Sequence, residues 1–221
     1  MILETRAVPP FMKNGWVIAC SRTREAAVVD PGDEVEALLA LVRETGVNVR
    51  HILLTHAHFD HVTGVAAAVR ALAVPVHMHR DDLFLYERVE QQGAMFGMPV
   101  EPQPAPDKFY DGTPIEIGDV QIRAHHTPGH CPGEVCLEVT ERGAPETHLF
   151  VGDSLFAGSI GRTDLPGGNY DVLMQSITTV IMGFGDDAIV HPGHGPDTTV
   201  GRERTRNPFV LEYLSSRKSR G

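Results

Sequence analysis

The chain has 221 residues, 42% of them hydrophobic and 22% charged, with 19 Lys plus Arg against 29 Asp plus Glu and a formal net charge of −10. That length and apolar content suffice for one sizeable core, whereas the negative charge opposes the phosphate neutralisation on which non-specific nucleic-acid binding rests. No apolar run approaches the roughly 20 residues of a membrane span, Met1 to Pro10 lack the apolar stretch of a leader, and Cys20, Cys131 and Cys136 form neither a CxxC pair nor an even-numbered disulfide framework. A cytoplasmic protein without a nucleic-acid or membrane partner is expected.

In chain order, strands are expected over Leu3 to Val8, Trp16 to Cys20 and Ala26 to Asp30. After the turn Pro31-Gly32-Asp33, the spacing of Val35, Leu38, Leu39 and Val42 predicts an amphipathic helix ending near Gly46. A strand follows at Ile52 to Thr55, and Val62, Val65, Val69 and Leu72 predict a helix. Val74 to His79 reads as a strand and Asp81 to Gln92 as a helix. Met98 to Asp107 contains Pro99, Pro102, Pro104 and Pro106 and reads as a surface loop beside the active site, with a substrate-shaping lid as its functional alternative. Strands are then expected at Pro114 to Ile117, Val120 to Thr127, Glu134 to Thr140 and His148 to Val151. A helix over Tyr170 to Met182, a strand near Ala188 to His191 and a helix around Gly201 to Ser215 complete the chain. Mixed strands with outer helices predict a layered α/β domain over 1–214, with 215–221 a frayed basic tail.

The chemistry concentrates in Thr55-His56-Ala57-His58-Phe59-Asp60-His61, directly after the strand at Ile52 to Thr55. Imidazole and carboxylate are the ligands that zinc, iron and manganese accept. In extended chain His56 and His58 point to one side and can grip one ion. Asp60 and His61, at the entry of the next helix, face away and suit a second. Three Gly/Pro-rich turns supply further donors: Thr127 to Gly133 with His130, Phe150 to Ser154 with Asp153, and Val190 to Gly195 with His194. Glycine and proline permit the tight turns that aim a side chain into a shared cleft. His56, His58 and His130 would hold one metal and Asp60, His61 and His194 the other, with Asp153 bridging, since each carboxylate oxygen can face one ion. His51, His77, His79, His125, His126, His148 and His191 fall outside the pattern, although His125 or His126 could support it from behind.

These motifs, in this order, resemble the metallo-β-lactamase superfamily. The resemblance implies a four-layer αββα sandwich with the site at one edge, and a supporting role for Asp30 of Val28-Val29-Asp30-Pro31-Gly32 behind the ligands. An aspartate at 153, together with Gly158 to Gly168 and Arg204 to Phe209, is similar to the short bacterial glyoxalase II-like proteins of the YcbL type (hydroxyacylglutathione hydrolase-like). Longer members carry a C-terminal helical domain with glutathione contacts, whereas the 27 residues after His194 have room for one helix and a tail.

The resemblance implies hydrolysis of S-acyl glutathione thioesters, such as S-lactoylglutathione, by a metal-bridging hydroxide. Two divalent ions are implied, zinc first and iron or manganese as alternatives. Asp60 would orient the hydroxide or shuttle its proton. Arg162 is the candidate for a substrate carboxylate, against a plain loop-stabilising pair with Asp164; Phe156, Tyr170 and Lys108 are further candidates for the pocket. The main alternative is a persulfide dioxygenase with one ferrous ion on His56, His130 and Asp153. Lactonase or weak β-lactamase activity is third, and a non-catalytic metal- or partner-binding domain is the remaining alternative. Metal identity, acyl group, thiol and oligomeric state are not encoded legibly.

Overall fold

The computed structural model describes residues 1–218. Two six-stranded sheets carry the fold. In the first, β1 (Ile2–Arg6), β2 (Gly15–Ala19) and β3 (Glu25–Val29) are antiparallel neighbours. β4 (Asn48–Leu53), β5 (Val76–Met78) and β6 (Lys108–Phe109) then continue it in parallel. Parallel neighbours require crossovers, and helices supply them. α1 (Val35–Thr45) joins β3 to β4; α2 (Phe59–Val62) and α3 (Val65–Leu72) join β4 to β5; α4 (Leu83–Tyr86) and α5 (Val89–Met95) lie between β5 and β6.

The second sheet is built from β7 (Ile115–Ile117), β8 (Val120–His126), β9 (Val135–Glu141) and β10 (Thr147–Gly152), all antiparallel. A small hairpin of β11 (Leu155–Phe156) and β12 (Ser159–Ile160) follows. α6 (Tyr170–Thr179) then leads to β13 (Ile189–Pro192), which pairs in parallel with β10, and to β14 (Thr198–Thr199). α7 (Val200–Arg206) and α8 (Pro208–Lys218) close the described chain.

Strand alternation explains the layers. Trp16, Ile18, Ala27, Val29 and Leu53 of the first sheet meet Ile122, Val135, Leu137, Val139 and Phe150 of the second in the central core. The intervening Val17, Ala19, Ala26 and Val28 face α1, while Leu149, Val151 and Val190 face α6 and α8. Each sheet is thus sandwiched between the other sheet and helices, which is the expected αββα order.

Several expected helices are broken. α2 and α3 separate at Gly64, where a Cβ would stand 2.3 Å from the Gly32 carbonyl oxygen. The expected helix over Asp81 to Gln92 is a 3-10 turn at Arg80–Asp82 followed by α4 and α5. The last helix is two, parted at Asn207, whose side-chain oxygen accepts from Phe209 N at 3.1 Å and caps α8. Pro208 occupies the first position of α8, where a missing N–H costs nothing. α8 runs through part of the segment expected to be a frayed tail; 219–221 lie outside the described residues. The proline-rich stretch is tied down rather than free to close: Gln103 Oε1 accepts from Ala66 N at 2.7 Å, and Tyr86 Oη donates to Pro104 O at 2.9 Å. No helix among the described residues is long and apolar enough to cross a membrane.

Candidate metal centre

The ends of β4, β8, β10 and β13 converge at one edge of the two sheets. The chain leaves β4 through Leu54 and Thr55, and His58 remains extended (φ −70°, ψ 148°) immediately before α2. Asp60 and His61 therefore lie in the helical turn while His56 and His58 precede it, as their spacing predicts. His130 sits in the turn between β8 and β9. Gly129 there has φ +138°, and a Cβ on it would stand 2.2 Å from Leu173 N, so this turn requires glycine. Asp153 follows β10 and His194 follows β13.

The donor atoms of His56, His58 and His130 lie within 4.8 Å of one another, and so do those of Asp60, His61 and His194. Asp153 stands between the groups: Oδ1 is 3.5 Å from His61 Nε2, and Oδ2 is 3.8 Å from His130 Nε2 and 3.6 Å from His194 Nε2. His56 Nε2, His61 Nε2 and Asp153 Oδ1 are buried without a hydrogen-bond partner. Buried polar atoms are normally satisfied, so these orphaned lone pairs fit cations as their missing partners.

The far side of four of the five rings is occupied in a way that frees the near side. His61 Nδ1 donates to Asp30 Oδ2 at 3.0 Å, His130 Nδ1 to Arg162 O at 2.8 Å and His194 Nδ1 to Phe11 O at 3.2 Å. His56 Nδ1 lies 3.1 Å from Thr55 Oγ1. Such partners fix the tautomer that leaves Nε2 as an acceptor. His58 presents Nδ1 instead, 2.7 Å from His130 Nε2. Burial, and then the neighbouring imidazoles, hold His56 well below the ordinary histidine range and His58 at about 3. Both rings are therefore neutral at physiological pH, the state a metal requires. Burial alone would lower His61 too, but the carboxylates of Asp153 and Asp60 outweigh it and raise it to about 10, so without a metal its Nε2 carries a proton that a cation would displace.

Buried carboxylates bind the loops to each other. Asp30 accepts from Thr55 N at 2.7 Å and Thr55 Oγ1 at 2.6 Å, besides His61. Asp82 accepts from Ala57 N at 2.9 Å, Gly133 N at 2.6 Å and Cys131 Sγ at 3.1 Å, clamping the His56 and His130 loops together. Glu134 Oε1 accepts from Asp153 N at 2.7 Å. Lys13 donates to Asp30 O and Glu34 Oε1, fully buried beneath the site. Asn14 Nδ2 donates to Pro192 O at 3.0 Å and Gly195 O at 2.8 Å, holding the His194 turn. Sequence reasoning missed Asp82, Glu134, Lys13, Glu34 and Asn14. Of the histidines outside the pattern, His126 donates to Pro132 O at 2.8 Å, next to the His130 loop, while His125 pairs with Glu138 at 2.7 Å.

The donors open into a cleft of about 280 Å³. Its floor includes His58, Asp60, His130, Asp153 and His194. Arg162 reaches it, but Nε and Nη2 each donate to Asp164 at 2.7 Å, so the loop-stabilising pair is formed. Phe156 approaches His194 edge-on, 6.3 Å between ring centres. It does not itself line the cleft, and two further candidates are not brought to it at all. Lys108, on edge strand β6, lines a separate groove with His51, His77 and Tyr110. Tyr170 begins α6 with 40% of its surface exposed and is not among the cleft-lining residues.

Gly193 exposes how tightly the centre is built. A Cβ there would stand 2.2 Å from Asp153 Oδ1 and 2.7 Å from His61 Cε1. Gly193→Ala is expected to displace both donors and lower turnover on the order of 10²-fold with a retained circular dichroism spectrum. Metal content by atomic absorption checks it; full content with unchanged turnover would show that Asp153 and His61 have slack.

Residues 8–194 match the model of the metallo-beta-lactamase superfamily. Hydroxyacylglutathione hydrolase GloC of Haemophilus influenzae is 35% identical over 95% of this chain and 98% of its own. Among solved structures, the BLEG-1 B3 metallo-beta-lactamase superposes with a TM-score of 0.83 at 32% identity, covering 95% of this chain and 99% of that one. TTHA1623, solved in a di-iron-bound form, gives 0.81 at 37% identity, covering 93% and 99%. With its two sheets, its ligand-bearing strand ends and these similarities, the chain belongs to the metallo-beta-lactamase superfamily.

Proposed function

We propose that this protein is a metal-dependent hydrolase of S-acyl glutathione-type thioesters, S-lactoylglutathione among them, with two divalent ions held by His56, His58, His130 and by Asp60, His61, His194, and with Asp153 shared. The observation that carries the reading is the position of Asp153, whose Oδ1 faces His61 of one histidine group and whose Oδ2 faces His130 of the other as well as His194. The similarity to GloC favours the thioester, and the di-iron form of TTHA1623 favours a metal pair. Zinc is the first choice of ion, and iron or manganese suit the same donors.

When bound, such a pair supplies a water of lowered pKa and a Lewis acid for the carbonyl oxygen. The protein's own part is positioning. Asp60 Oδ2, 3.2 Å from His194 Nε2, faces the cleft and orients an attacking water by accepting its hydrogen bond. Asp30 and the carbonyls of Arg162 and Phe11 keep the rings aimed. A persulfide dioxygenase on His56, His130 and Asp153 would leave His61, His194 and Asp60 without a task, although the first two are oriented by the same device.

The test is hydrolysis of S-D-lactoylglutathione by apo protein and by protein loaded anaerobically with zinc or ferrous iron. Metal-dependent loss of the thioester is the expected result. No hydrolysis with either ion, accompanied by oxygen uptake on glutathione persulfide, would replace this reading with the dioxygenase.

A further inference from the structure

The walls of the cleft differ sharply from its floor. Phe11, Phe59, Leu85, Phe96, Leu165 and Pro166 form them. Phe11 meets Phe59 edge-on at 4.9 Å between ring centres, and Phe59 stacks on Phe96 at 4.7 Å and 18°. Phe96 is 55% exposed and the adjacent Met95 82%. Phe59 is mostly covered by the other two, so Phe11 and Phe96 present the open aromatic surface, which beside a reactive centre suits something apolar.

The walls carry only two polar side chains, and most of their hydrogen-bonding groups are engaged. Gln92 Oε1 accepts from Phe59 N at 3.2 Å, and its Nε2 donates to Ala57 O at 3.1 Å and Leu85 O at 2.8 Å. Arg162 gives Nε and Nη2 to the two oxygens of Asp164, which leaves Nη1 for a ligand. Above the metal donors, Arg162 is therefore the one cleft-lining side chain among the described residues with N–H groups to spare. Glutathione carries two carboxylates and an ammonium group, which lose hydration without replacement against such walls. That end of the substrate belongs at Arg162 or in solvent, leaving the acyl group to face the aromatics. A hydroxyl on that acyl group finds no partner there either.

We infer that the preferred acyl group is apolar, a short aliphatic or aromatic chain rather than a hydroxyacyl one, lying against Phe11, Phe59 and Phe96. This rests on the thioester reading. The experiment compares kcat/KM of zinc-loaded protein on S-hexanoyl-, S-butanoyl- and S-D-lactoylglutathione, which share one thiol. Each added methylene is expected to raise kcat/KM about fourfold, so hexanoyl exceeds butanoyl by on the order of tenfold, with lactoyl slowest. Phe96→Ala, at an exposed position, is expected to cut the hexanoyl-to-butanoyl ratio by about threefold or more, and Phe96→Leu to restore it. Equal kcat/KM across the series overturns the inference while leaving thioester hydrolysis standing. No turnover of any member by metal-replete protein overturns both.

Discussion

Asp153→Ala protein, supplied with excess zinc, is expected to hydrolyse thioester more slowly by on the order of 10³-fold or more and to retain less metal after dialysis. The size follows from position. Asp153 Oδ1 lies 3.5 Å from His61 Nε2 and Oδ2 3.8 Å from His130 Nε2, so the substitution strips a donor from both groups at once. It also removes negative charge that would offset the two proposed cations. The backbone need not collapse, because Asp153 N still donates to Glu134 Oε1. Circular dichroism should then be unchanged, separating loss of chemistry from loss of fold. Asp153→Asn sharpens the test, since it keeps shape but cannot offer two anionic oxygens. Wild-type turnover in a fully metal-loaded Asp153→Ala protein would sink the shared-ligand assignment.

Legibility followed distance along the chain. His56, His58, Asp60 and His61 are local: strand geometry followed by a helical turn aims them, and both signals occupy one short segment. His130, Asp153 and His194 were visible as donor residues in Gly/Pro-rich turns, although only the β8, β10 and β13 ends bring them together. The carboxylates that hold the loops were not visible. Asp82 stands in an expected helix and reads as a surface acid, yet its partners are Ala57 and Gly133, far away in sequence. Lys13 reads as an exposed cation but lies fully buried against Glu34. No local pattern distinguishes such residues from solvated ones, because their environment is made by tertiary packing.

The same reasoning explains the misplaced elements. Two-residue strands such as Lys108–Phe109 and Thr198–Thr199 have no periodicity to detect. Lys108, a candidate for the pocket, follows the proline-rich loop expected beside the site. That loop instead packs on α3 and α4, and the cleft wall comes from Met95 and Phe96 just before it. Gly64 interrupted a helical pattern for a reason supplied by the Pro31-Gly32 turn, across which the backbone must pass closely.

Asp30→Ala should be the most destabilising single change behind the centre. Asp30 lies at φ +48°, a left-handed conformation that Asp and Asn tolerate better than other non-glycine residues. Its carboxylate serves Thr55 N, Thr55 Oγ1 and His61 Nδ1, all buried. Each donor left unpaired costs about 1–3 kcal/mol, so the variant should lose roughly 3–5 kcal/mol in all. For a chain of this size that lowers Tm by about 10 °C, measurable calorimetrically on metal-free protein. Metal affinity should fall about 10–100-fold as His61 loses its orienting partner. Asp30→Asn separates the two effects. Asparagine keeps an oxygen for Thr55 N and tolerates the backbone, but presents an amide N–H to the His61 Nδ1–H. Most stability should return while metal affinity remains depressed. If Asp30→Asn binds metal as tightly as the unaltered protein, the aim of His61 is set by packing alone, and the carboxylate's work is confined to Thr55 and the fold.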